Sequence, residues 1–247
     1  MKEIKESYTL NKLGDELIEI IKNKVDFFST MSIVFPSSKM QQWFKTYWLK
    51  TQSDILMNVE FINIDEKLFE LIKTDNSYKL MSKELFKSLV IKHLAKNYSE
   101  NKILPEDIRA YLVKQNKLDA IKLYDLADQL TVLFTEYEKD NFKITGYQKE
   151  IYDAVLQEAN IQNKTTLAYL YNKENKEIKK SNETLYFFGF SSFNKLQESI
   201  IDEYAKSSNV VIYLVKEDKN YKKDYSLIAA PSKLREIEVV HSQICEL

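Results

Sequence analysis

Glycine is almost missing: 247 residues hold only Gly14, Gly146 and Gly189. A phosphate-cradling loop takes positive φ angles and brings its backbone amides up to the ligand, so its pattern is GxxxxGK[ST], and a dinucleotide loop needs GxGxxG. Three glycines spaced this widely form neither motif, which excludes nucleotide binding through a glycine-rich loop. The single cysteine, Cys245, excludes an intramolecular disulfide and a cysteine-based zinc site. His93 and His241 are the only histidines, too few for a histidine-rich metal centre. Arginine is confined to Arg109 and Arg235, so phosphate contacts fall mainly to lysine acting as a point charge. No apolar run approaches the roughly 18 residues that span a bilayer, and the N-terminal MKEIKESYTL lacks the apolar core of a signal peptide. Together these absences point to a reduced, cytoplasmic protein.

What is present suits a globular fold. The 44% hydrophobic and 13% aromatic content is enough for one large or two smaller domains, each with its own core. A formal net charge of −1 gives no global electrostatic case for coating nucleic acid, so any such contact must come from a local patch or groove.

Ser32 to Trp48, SIVFPSSKMQQWFKTYW, organises the rest. Ile33-Val34-Phe35 is a short apolar run that predicts a buried strand, broken at Pro36, with Ser37-Ser38 as a helix N-cap. Met40, Trp43, Phe44, Tyr47 and Trp48 then recur at helical spacing as an inward stripe, leaving Gln41, Gln42 and Lys45 off it. This strand-turn-helix unit stands where a nucleotide-binding domain carries its phosphate loop, yet it offers PSSK.

Leu10 to Lys24 has the spacing of a helix, Asp54 to Ile64 alternates as an extended segment through Ile55, Met57, Val59 and Phe61, and a helix follows from about Asp65. From about Tyr78 to Lys180 the periodicity is helical throughout, over 81–97, 106–115, 117–139, 147–160 and 165–172, with breaks at Pro105, Asn116, Gly146 and Gln162-Asn163. The polar stretch 172–182 is expected to be a solvated tether. Strands return at Leu185–Phe190 and Val210–Val215, with a helix over Phe193–Ala205 between them, a last strand at Leu227–Ala230 and a terminal helix. Continuous apolar runs predict a parallel sheet covered on both faces. The expected plan is an α/β domain over 1–77 and 181–247, interrupted by a helical insertion over 78–180, and termination inside a helix at Leu247 suggests a piece of a longer chain.

Three separated motifs resemble the RecC family, the gamma subunit of exodeoxyribonuclease V. FPSSKMQQWFK is similar to the family's S-x-G-M-x-Q-W-L, matching at Ser37, Met40, Gln42 and Trp43, with Lys39 in place of the glycine. LYFFGFSSFNKLQ is similar to V-F-I-x-G-I-S-x-L-P, matching at Gly189 and Ser191 with the proline lost, and REIEVVH, Arg235 to His241, nearly reproduces R-E-V-E-V-L-H. A weaker likeness runs from Lys122-Leu123-Tyr124 through Leu133-Phe134 to Tyr137. The resemblance implies a superfamily-1-helicase-like, P-loop-NTPase-like parallel-sheet domain that has lost its ATPase motifs and carries a large all-helical insertion. It implies a subunit with no active site of its own, working beside RecB-like and RecD-like subunits that hold ATP and Mg. Such a subunit splits incoming duplex DNA and guides, and in some members scans, the 3′-ended strand.

Carried over residue by residue, the resemblance implies DNA contacts at Ser38, Gln42, Phe69, Leu133 and Lys164. Gln42 supplies an amide for a base edge, Ser38 keeps a hydroxyl where a threonine is expected, Phe69 keeps an aromatic face where a tryptophan is expected, and Lys164 keeps a cation where an arginine is expected. Pro36, Asn63, Val132, Thr135 and Asn141 depart from the family pattern and remove partners that direct sequence readout uses. Two bland readings compete. Trp43, Tyr47 and Trp48 at helical spacing are core rather than a stacking platform. Asp125 and Asp128 form an i, i+3 pair of the kind a charged helix face produces, although such a pair can also hold a metal.

Overall fold

The computed structural model describes residues 1–24, 30–52, 55–74, 77–99, 105–115, 117–140, 142–174 and 177–216, all within the compact unit Met1–Lys216. The chain begins β1 (Lys2–Ser7), α1 (Leu10–Lys24), β2 (Met31–Phe35), α2 (Ser38–Thr51), β3 (Val59–Asn63) and α3 (Ile64–Leu71). It continues through β4 (Lys79–Leu80), α4 (Lys83–Ser99), α5 (Glu106–Leu112), β5 (Val113–Lys114), β6 (Lys117–Leu118), α6 (Ala120–Asp140) and α7 (Gly146–Ile161). Then come β7 (Lys164–Thr165), α8 (Leu167–Lys173), β8 (Thr184–Phe190), α9 (Lys195–Ala205) and β9 (Asn209–Val215). The expected strand at Leu227–Ala230, the terminal helix, and the residues Asn141, Arg235, His241 and Cys245 lie outside the described residues.

The long apolar runs pair side by side as parallel strands, in the order β1-β9-β8-β2-β3. Because alternate side chains leave a strand on opposite faces, a run that is apolar throughout demands cover on both. Val34, Leu185, Phe187, Val210 and Ile212 pack against α3, α8 and α9. Ile33, Phe35, Tyr186, Phe188, Val211 and Tyr213 pack against α1 and α2 on the other face. A separate core joins α4, α5, α6 and α7 through Phe86, Leu89, Leu94, Leu130, Phe134 and Val155. Among the described residues, no helix is long and apolar enough to cross a membrane.

Several expectations need correction. β1 is a strand although KEIKES has no apolar alternation; it closes one edge of the sheet, where charged residues deter pairing with another chain. The extended segment begins at Val59 rather than Asp54: Asn58 has φ 55, and Ile55 and Met57 are 84% and 51% exposed. The helix expected over 106–115 stops at Leu112, since Val113-Lys114 pairs antiparallel with Lys117-Leu118 before α6 starts at Ala120. Of the expected tether over 172–182, the first two residues end α8 and the part from Glu177 is pinned, because Ile178 bridges to Ile72 and the Lys179 amide donates to the Leu71 carbonyl at 2.7 Å.

Candidate nucleic-acid interface

After β2 the chain steps outward to β3, and after β8 it steps the opposite way to β9. The carboxyl ends of β2 and β8 therefore part at a topological switch point, the crevice where open parallel sheets bind ligands. Pro36-Ser37 follows β2, and Ser191-Ser192 follows β8. Ser37 Oγ accepts the Met40 amide at 3.3 Å and so caps α2, as the sequence predicts. Gly189 has φ +79 and sits at a bulge: Phe188 and Phe190, two residues apart, face opposite sides of the sheet. A β-carbon on Gly189 would lie 2.8 Å from both Cγ and Sδ of Met40. Met40 thus packs directly on Gly189, and the two motifs around them share one crevice. No residue from Pro36 to Lys39 takes a positive φ, so the turn does not fold its amides into a phosphate nest.

The inner stripe of α2 is core. Phe44 and Trp48 are buried, Trp43 stacks on Tyr47 at 5.0 Å and on Phe188 at 6.1 Å, and the Tyr47 hydroxyl donates to Asp15 at 2.7 Å. Gly14 of α1 is required beneath this stack, since a β-carbon there would lie 2.9 Å from the Tyr47 ring. The outer side carries Ser38 and Gln42, one turn apart and both exposed, and these are the two predicted contact residues that share an element. Phe69 on α3 is half-buried against the sheet core, and Leu133 on α6 is half-buried against the helical core. Lys164 is positioned by a tight junction: α7 ends at Ile161, Asn163 takes φ 53, and β7 pairs parallel with β4, setting Lys164 beside Lys79. Thr166 then caps α8 by accepting the Tyr169 amide at 3.2 Å.

A cleft of about 440 Å³ opens between the sheet layer and the helices, lined among others by Asp65, Ser82, Thr135, Glu138, Asn194 and Gln197. Glu138 is the unusual group. Its Oε1 accepts the Thr166 hydroxyl at 2.6 Å and the Tyr152 hydroxyl as well, and burial pushes its carboxyl above the ordinary value of 4.5 despite both donors. The folded chain therefore holds this proton to higher pH than the unfolded chain, so the stability linked to Glu138 falls as pH rises from about 4.5 through the raised folded value. Glu138→Gln keeps an acceptor oxygen and cannot ionise, so its urea midpoint should decline less than wild type across that window. Parallel profiles would show that the Glu138 carboxyl does not titrate with folding.

Other candidates resolve simply. Asp128 pairs with Lys87 at 2.8 Å, and this hydrogen bond holds its carboxyl below the usual range. Among the described residues no three His, Cys, Asp or Glu side chains form a metal-binding group. Half-buried His93, its Nε2 2.8 Å from Asn97 Nδ2, has its basicity lowered by burial.

A family model described as RecC, N-terminal domain, matches residues 3–238. The chain belongs to this family. No curated protein matches the chain. RecC-family membership makes the chain a RecBCD-type subunit in DNA repair, part of a complex that binds DNA. Of the positions that depart from the RecC pattern, Val132 and Thr135 line the cleft, Pro36 stands at the switch point, and Asn63 caps α3 by accepting the Asp65 amide at 3.0 Å. Sequence reasoning missed Lys79, whose place beside Lys164 depends on a two-residue pairing, and Asn194 and Gln197 at the cleft. The latter pair forms a capping box, and the spacing N-x-x-Q before an apolar helix is a signal that was available.

Proposed function

We propose that this chain is a non-catalytic DNA-guiding subunit of an ATP-dependent helicase–nuclease acting in double-strand-break repair and homologous recombination. It helps to split the duplex and channels the 3′-ended strand, while RecB-like and RecD-like partners supply ATP- and Mg-dependent chemistry. In this reading the sheet is a superfamily-1-helicase-like domain, residues 78–180 are its helical insertion, and the protein works in the cytoplasm. The observation that carries it is the switch point of a RecC-family sheet filled by the protein's own Met40 on Gly189, with Ser38 and Gln42 exposed on the helix that starts there. Gln42 offers an amide to a base edge and Lys164 a charge to a phosphate. Phe69 and Leu133 contribute through whatever part of their surface the cores leave free.

A labelled single strand titrated by anisotropy tests this. Gln42→Ala combined with Lys164→Ala should weaken binding and lower the salt slope by about 0.7, the share of one neutralised phosphate. Binding untouched by both substitutions would remove these residues from the DNA path.

A second reading, an inactive helicase-like scaffold that chiefly holds its partner subunit, is favoured by the packing of Phe69 and Leu133 and by the net charge of −1. It predicts no strand binding by the chain at either low or near-physiological salt.

A further inference from the structure

Many lysines of this chain face a carboxylate: Lys2 meets Asp202 at 2.6 Å, Lys87 meets Asp128 at 2.8 Å and Lys139 meets Glu136 at 2.7 Å. The β5–β6 hairpin does the reverse. Its register sets Lys114 directly opposite Lys117, and Val113 opposite Leu118. Residues directly opposed across an antiparallel pair leave on the same face, with β-carbons about 4.5–5.5 Å apart. Leu118 packs against the helical core, so the two lysines leave on the outer face, and both are exposed. Among the described residues neither lysine side chain forms a hydrogen bond or an ion pair. Like charges opposed in this way resist hairpin formation. Stability alone would favour a carboxylate in one of the two places.

From Tyr111 to Tyr124 the sequence holds Lys114, Lys117 and Lys122 against Asp119, with Glu106 and Asp107 before this stretch and Asp125 after it. Asp119 is committed to α6, where its Oδ1 accepts the Ile121 and Lys122 amides at 3.0 and 3.3 Å. Lys122 Nζ lies 5.3 Å from the centre of the Tyr111 ring, and Tyr111 is 43% exposed. Two exposed lysines without side-chain partners, and an exposed aromatic ring three residues before the first of them, supply the chemistry that holds a single strand, charge for the backbone and a π-face for a base.

We propose that the β5–β6 hairpin is a second contact for single-stranded nucleic acid, with Lys114 and Lys117 on backbone phosphates and Tyr111 against a base. It rests on the DNA-guiding reading above and uses none of that reading's residues. The test is anisotropy of a labelled single strand at 50 and 200 mM salt, comparing the wild-type chain, Lys114→Thr with Lys117→Thr, and Gln42→Ala with Lys164→Ala. The hairpin variant should lower the salt slope by about 1.4, so that its deficit is about sevenfold larger at 50 than at 200 mM salt. Its melting temperature should stay level or rise, because a repulsive pair is gone and threonine suits a strand. Tyr111→Ala should weaken binding without changing the slope. An unchanged slope and affinity in the hairpin variant, with binding lost in the Gln42 and Lys164 variant, overturns the hairpin contact and leaves the DNA-guiding reading standing. Absence of wild-type binding at both salts overturns both.

Discussion

Phe188→Ala should lower the unfolding free energy by about 3–5 kcal/mol, the usual cost of emptying a phenylalanine site in a core. Phe188 is fully buried, with the rings of Phe44, Tyr213 and Phe35 at 5.3, 5.8 and 5.9 Å and Trp43 stacked at 6.1 Å. It is the strand residue on which α2 rests, so its removal leaves a void under the helix that carries Ser38 and Gln42. Domains have only about 5–15 kcal/mol in total, so this one change consumes a large share. Denaturant unfolding of Phe188→Ala and Phe188→Leu measures it, and leucine, which refills most of the volume, should recover much of the loss. A change below about 1 kcal/mol for alanine would mean that the aromatic cluster does not fix α2 to the sheet.

Gly189→Ala should be nearly as damaging, at about 2–5 kcal/mol. A side chain at φ +79 carries roughly 1–3 kcal/mol of backbone strain, and forcing a methyl into packed space costs roughly 1–3 kcal/mol more. The second part has an identified partner, since the new β-carbon would lie 2.8 Å from Met40 Cγ, so that the Met40 side chain must change rotamer within a packed site. Truncating Met40 relieves that clash and leaves the φ strain. The Gly189→Ala and Met40→Ala double variant should therefore be less destabilised than the sum of the singles, by about 1–3 kcal/mol. Strict additivity in a double-mutant cycle would contradict the contact that closes the switch point.

The parts of the fold legible in the sequence are those whose signal is local. The Ser37 cap and the stripe from Met40 to Trp48 specify α2 without reference to the rest of the chain, and the unbroken apolar runs of β8 and β9 announce a sheet covered on both faces. β1 is not legible, because its lysines and glutamates suit an edge and carry no alternation. The two-residue strands are not legible either: Lys79 and Lys164 are 85 positions apart in sequence and become neighbours only when β4 and β7 pair. At the candidate site, the resemblance supplied Gln42 and Lys164, and the structure keeps the first exposed and the second half-buried. It could not supply the packing of Phe69 and Leu133, nor the hydrogen bonds of Glu138, whose donors are hydroxyls arriving from α7 and from the cap of α8.

Titrating a labelled single strand with the wild-type chain at low and near-physiological salt, each with and without ATP and Mg, asks whether the proposed strand-guiding wall works without nucleotide. Salt-sensitive binding that is the same with and without nucleotide is the predicted result. Binding that appears or vanishes with ATP, or ATP turnover that persists through purification to homogeneity, would contradict it.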